Sequence, residues 1–371
     1  MAWVSAGEVV AVPVCAGFAA KHEGGMLMRI WFSAALWLVL VMLHSYVAKW
    51  TRTVFCGLGS SDSGGPLWLI TMRDADAFIS ALLMLSPMVL MPLGKRLFSS
   101  TTKHEESWMV IFAAFLAGLS LAFQPVDPRV ILSNDSAIQR IIPAGFLFAL
   151  PWLIVRLHAA GAVVRKWCSI GFGSHPDVCL AVAQIFPAIG AAWLVGHRAN
   201  WTPWNFDPLI VLLTAAHFHH AGFTLPLMAG LNAKASPGCW TRFSCVAILA
   251  GVPLVAAGIT CTHFGVLRFV EPFGVTVLVL GALGVAVSQI RRGMEKQGGW
   301  LMRAGFVVSG ASLLCAMILA MGFGLRHVVP NWALTMPQMW MIHGTLNAFG
   351  FGLCGLLAWR ASSESVRTKI A

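Results

Sequence analysis

Apolar residues in this chain gather into windows too long and too continuous for the helices of a soluble protein. They cover Ile30–Val47, Ala77–Leu93, Trp108–Phe123, Ile141–Val155 and Val178–Val195. Five more cover Pro208–Leu231, Phe243–Thr262, Phe273–Ile290, Met302–Leu325 and Met339–Trp359. A hydrocarbon core of about 30 Å takes about 20 residues of helix to cross. Lipid offers a backbone N–H or C=O no partner outside its own segment, so each window is predicted to be helical throughout. The pattern predicts an all-α protein, a polytopic transmembrane helix bundle of about ten spans. The fourth window is short and is expected to extend towards His158.

The segments between windows are polar and too short to fold separately. The chain therefore divides into a short N-terminal segment (1–27), one transmembrane domain (28–360) and a tail (361–371). The apolar run Val9–Ala20 is too short to span and lacks the basic flank of a signal peptide, which makes Met26 and Met28 alternative starts.

Composition agrees. The chain is 58% apolar and 11% charged, with a mean hydropathy of +0.78. Fourteen acidic residues cannot clothe a soluble surface of 371 residues, so the lipid bilayer is the expected partner. The net charge of +11 does not signal nucleic acid, because the basic residues are scattered at span ends and form no block interleaved with aromatics. Nine scattered cysteines without a C-x-x-C pair argue against a disulfide framework or a structural zinc site. Only Cys56 and Cys261 fall on the outer side, and nothing in the sequence brings them together.

Charge does set a direction. Of 25 Lys and Arg, 17 lie in the N-terminal segment, the tail and the loops after even-numbered windows, counting Arg303 at the start of the ninth window. The positive-inside rule places those segments, and both termini, in the cytoplasm.

Ionisable groups inside a bilayer are costly and therefore informative. In the sixth window Asp207, Thr214, His217, His220 and Thr224 fall within an arc of about 140°, while His219 points towards Ala215, Ala216, Gly222 and Pro226. At 1.5 Å per residue His217 lies about 15 Å beyond Asp207, near mid-depth. Pro226 is expected to free a carbonyl near Gly222 and kink the helix there. The plainer reading of these imidazoles is hydrogen bonding between helices. Three at one depth favour a site for a substrate or a proton.

The tenth window carries a second polar stripe, with Met336, Met339, His343, Asn347, Gly350 and Cys354 within about 80° of one another. Asn347 is expected to orient an imidazole. Further polar groups (His44, Arg73, Asp74, Asp76, His197, His263, Glu271 and His327) gather at the outer ends of spans, as an outward-facing funnel would require. No nucleotide-binding P-loop, H-E-x-x-H, C-x-x-C-H or G-x-S-x-G motif occurs.

The run His217-Phe218-His219-His220-Ala221-Gly222-Phe223, followed by His343-Gly344-x-x-Asn347-Ala348, resembles the YndJ-like family of bacterial integral membrane proteins. The family pattern looks like H-F-H-[YF]-A-G-F and H-G-x-x-N-A, and His220 stands where it has an aromatic residue. The resemblance implies a bacterial cytoplasmic (inner) membrane protein, and members are sometimes labelled transporters.

Two functions follow from these residues. One is a secondary transporter or permease of a small molecule or ion, not an enzyme, with imidazoles suited to proton coupling. Its site would comprise His217, His219, His220, Thr214, Asp207, His343, Asn347, Glu271 and Asp74. The other is a redox protein holding haem or copper through His217, His220 and His343, with Met336, Met339 and Cys354 as soft ligands. For topology, reporter fusions at the N-terminus, near Ser99 and at the C-terminus should read cytoplasm, and fusions near Ser61 and Asp135 the opposite side. A C-terminus outside would mean that one span is miscounted.

Overall fold

The computed structural model describes residues 28–42, 72–95, 97–98, 108–122, 142–296 and 298–370, which contain helices and no strand. Ten helices occupy the ten apolar windows. Helix α1 is Met28–Met42. Helix α2 runs from Met72–Leu85 through a π-helical turn, Ser86–Leu90, into Met91–Lys95. Then come α3 (Trp108–Ala122), α4 (Ile142–Ile170) and α5 (His175–Arg198). Helix α6 is Pro208–His219 continued as Ala221–Ala235. Helices α7 (Cys239–His263), α8 (Val270–Met294) and α9 (Trp300–Gly324) follow. Helix α10 passes from Met336–Gln338 through two π-helical stretches, Met339–His343 and Leu346–Leu353, into Cys354–Ile370.

Eight of these are long and apolar enough to cross a membrane by length and composition, and α1 and α3 are shorter apolar helices. Helix α4 runs well past His158, and α10 continues through the expected tail to Ile370. Large apolar side chains such as Ile154, Ile318 and Leu357 stay exposed on the bundle surface. That is what a lipid-facing surface needs.

Without a hydrophobic drive between helices in lipid, close packing must come from small residues. Gly251 and Gly258 on α7, and Gly274 and Gly281 on α8, recur at seven-residue spacing along one seam. A Cβ at Gly258 would come 2.4 Å from Glu271 Cα, and one at Gly274 would come 2.7 Å from the Leu254 carbonyl carbon. The two backbones therefore touch along their length.

Prolines shape α2. Pro92 removes the N–H that would serve the Met88 carbonyl, and Ser33 of α1 donates to that oxygen at 2.6 Å. Trp37 Nε1 donates to the Ala81 carbonyl at 2.9 Å, so α1 is tied to α2 at both places.

Glu271 is 2% exposed at the start of α8. Arg326, just beyond α9, grips its carboxylate with both terminal nitrogens. Thr262 donates to its second oxygen at 2.6 Å. The carboxylate thus clasps α7, α8 and the end of α9, and stands apart from the histidines. Glu271→Ala should strip a poorly hydrated Arg326 of its counter-ion and lower stability by about 3 kcal/mol. The pair Glu271→Ala with Arg326→Met should recover most of that loss in thermal melts of the detergent-purified protein. Wild-type melting of Glu271→Ala would show that the clasp contributes nothing.

Candidate functional site

Helix α6 breaks at His220, where φ is −100° and ψ −76°. The sequence placed the kink near Gly222. It falls two residues earlier because the Phe223 and Thr224 N–H groups both turn to the His220 carbonyl, at 3.1 and 2.7 Å. The His219 carbonyl accepts instead from Ser86 Oγ of α2. The favour is returned across the same contact. Pro87 offers no N–H to α2, and His220 Nε2 donates to the carbonyl of Leu82, a π-helical turn before that proline, at 2.6 Å. Two interrupted helices thus complete each other's main-chain hydrogen bonding.

The three histidines of α6 do different work. His219 is wholly buried. Its Nδ1 lies 2.8 Å from the Ala215 carbonyl and its Nε2 accepts from Trp152 Nε1 at 2.9 Å. A Cβ at Gly190 would fall 2.6 Å from His219 Nδ1, so the ring packs on a glycine of α5, in keeping with its small-residue face. Trp152 and Ser86 were not legible as partners in the sequence. The Ser86-Pro87 pair in α2 was the available signal, since a proline in mid-span leaves a carbonyl to be served from elsewhere.

His217 stands two residues earlier and is exposed. Its Nδ1 is 2.7 Å from the Leu213 carbonyl. His343 Nδ1 is 2.9 Å from the Ala316 carbonyl of α9. A carbonyl can only accept, so each facing ring nitrogen carries the hydrogen and the other nitrogen of the neutral ring is a bare lone pair. Those lone pairs are Nε2 of His217, Nε2 of His343 and Nδ1 of His220, the last buried without a partner. His217 lies within electrostatic range of both His220 and His343. Helices α6 and α10 also meet directly: a Cβ at Gly352 would lie 3.5 Å from Thr224 Cγ2, and one at Gly355 would lie 2.9 Å from Met228 Cε.

The other expected residues are placed as follows. Thr214 donates to Ile210 O at 2.7 Å, in its own helix and one turn from His217. Asn347 Nδ2 donates to the His343 main-chain carbonyl at 2.8 Å, which corrects the expectation that it orients an imidazole: the π-helical backbone of α10 leaves that carbonyl for the amide to serve. Asp207 is exposed and caps α6 by accepting from Leu209 N at 2.8 Å, away from the histidines. Asp74 lies in the first turn of α2, and its side chain is outside the described residues, as are those of Arg73 and Asp76. His44 and Cys56 also lie outside them. His263 Nε2 faces the Trp204 carbonyl at 2.9 Å, and Glu271 is held by Arg326. Among the described residues, Asp207, His263 and Glu271 are thus each taken up locally. Among the described residues no three His, Cys, Asp or Glu side chains gather as a metal site requires, so His217, His220 and His343 do not form a ligand set.

A buried polar cluster where broken helices cross, inside an apolar bundle, defines a multi-span integral membrane protein. The chain matches the YndJ-like protein family over residues 81–351 and belongs to that family. The match takes in the broken part of α2 and both histidine motifs. It is 29% identical over 229 residues to the "Uncharacterized membrane protein YndJ" of Bacillus subtilis (strain 168), covering 58% of this chain and 40% of the relative. The chain thus corresponds to well under half the length of that relative. No solved structure matches.

His219→Ala should leave the Trp152 N–H buried and unpaired beside a cavity, at a cost of about 2–4 kcal/mol. His217→Ala, at an exposed ring, should change stability by less than about 0.5 kcal/mol. Denaturation midpoints of the two purified variants test the contrast, and adding Trp152→Phe to His219→Ala should restore part of the loss.

Proposed function

We propose that the protein is a secondary transporter or permease of the bacterial cytoplasmic membrane, with both termini in the cytoplasm. Its binding site is the polar face shared by α6 and α10, reached from the outer side. The observation that carries this reading is the preset state of His217, His220 and His343. Each has one nitrogen committed to a main-chain carbonyl and one left bare, and the first two flank a helix break. An imidazole so held can accept a proton or a donor group without first reorienting. Broken helices at mid-depth are how membrane bundles expose polar groups without facing them to lipid. The π-helical stretches of α10 beside His343 add a backbone able to shift by one residue. Thr214 and Asn347 complete the face.

His219 orders the bundle, Glu271 clasps three helices and Asp207 caps one, so the mechanism uses none of them directly. Proteoliposomes loaded with a pH-reporting dye and challenged with panels of cations, amines, sugars and carboxylates test the proposal. A solute-driven signal should fall at least about tenfold in His217→Ala and in His343→Ala, with both variants folded. No flux from any class, together with a haem absorption band or stoichiometric copper in the purified protein, would overturn it in favour of a redox role.

A further inference from the structure

A groove between α1 and α3 belongs neither to the histidine helices nor to the Glu271 clasp. Towards their ends the two helices approach closely, and a Cβ at Gly118 would come 2.5 Å from Leu40 Cδ1. Towards their starts the facing side chains are rings. Trp108 meets Phe32 edge to face at 5.6 Å, and side chains of that size hold the helices apart. The space left is about 500 Å³, and its lining includes Phe32 and Leu36 of α1 with Trp108, Ile111, Phe112 and Phe115 of α3. Ile111, 4% exposed, forms the floor, while Phe112 stands 60% exposed on the wall.

The lining carries no charged side chain, and a cation stands at its open end. The Arg29 guanidinium lies over the Trp108 ring, 5.4 Å from its centroid. Leu36 is seven residues further along α1, about 10 Å down the helix axis. The groove thus offers positive charge at one end and about two helical turns of apolar trough beyond it. A second helix fits it poorly, because helices in lipid seat on one another through small residues and this lining holds none. A neutral hydrocarbon gains nothing from the cation. An acyl chain can follow the trough, and a phosphate accepts from a guanidinium, whose five donors can serve more than one acceptor at a time.

We infer that this groove seats one acyl chain of an anionic phospholipid, with the headgroup phosphate at Arg29 and the Trp108 indole at headgroup level. The site is separate from the polar face of α6 and α10 and does not depend on the transport reading. In the topology proposed above it opens to the cytoplasmic leaflet, where anionic lipids attract basic side chains.

Native mass spectrometry and thermal melting test this on delipidated protein in a neutral detergent, titrated with phosphatidylglycerol or phosphatidylcholine of identical acyl chains. One phosphatidylglycerol should be retained per protein chain and should raise the melting temperature saturably. Phosphatidylcholine should bind about fivefold more weakly, the factor that one basic side chain contributes against an anionic headgroup. Arg29→Gln should bring the two lipids to equal affinity. Leu36→Trp, whose larger ring enters the groove, and Phe112→Ala, which removes an exposed wall, should weaken both. Glycerol 3-phosphate, a phosphate without acyl chains, should shift nothing. Equal binding of the two lipids by the unaltered protein, a preference that survives Arg29→Gln, or undiminished binding in both groove variants would overturn the inference. So would a dimer that Leu36→Trp converts to monomer, which would give the groove to a second copy of the chain.

Discussion

Two helices that cannot complete their own hydrogen bonding hold the centre of this bundle together. In water, a carbonyl left open by a proline is served by solvent. In hydrocarbon it costs several kcal/mol unless another group reaches it. Pro87 opens α2 and the turn at His220 opens α6, and Ser86 and His220 close both gaps across the contact. The exchange fixes the relative depth and rotation of the two helices. A slip of one residue by either would strand both carbonyls. The position of every other polar group on α6 follows from that lock.

The lock also separates the histidines into kinds. His220 takes part in it through one nitrogen and keeps the other bare. His219, pointing away, is satisfied at both nitrogens by Ala215 and Trp152 and ties α6 to α4 and α5. His217, two residues towards the start of α6 from His219, remains exposed and places its Nδ1 on the Leu213 carbonyl. One short motif therefore supplies packing, register and an exposed imidazole. The difference between them is which neighbouring carbonyl each ring can reach.

Acidic groups in an apolar bundle invite a functional reading, and Glu271 shows why the partner must be seen. Its carboxylate is matched by Arg326 from 55 residues away in the chain, with Thr262 completing the shell. Such a site is closed chemically. His217 and His343 are the opposite case, each with one ring nitrogen on a main-chain carbonyl and the other left over.

The ten helices were legible in the amino-acid sequence because a bilayer demands one property, continuous apolar length, and length is a local quantity. The candidate histidines were legible for the same reason, since an ionisable residue in such a stretch stands out against its neighbours. The adjacency of α6 and α10, the break at His220 in place of Gly222, and the engagement of Asn347 with its own helix were decided by the tertiary structure. Each depends on which carbonyl lies open and which donor arrives from another helix. Trp152 carries no mark in the sequence as a partner of His219, for hydrogen bonds between helices have no period along the chain. Periodicity reports the face a residue occupies, and packing alone decides what that face meets.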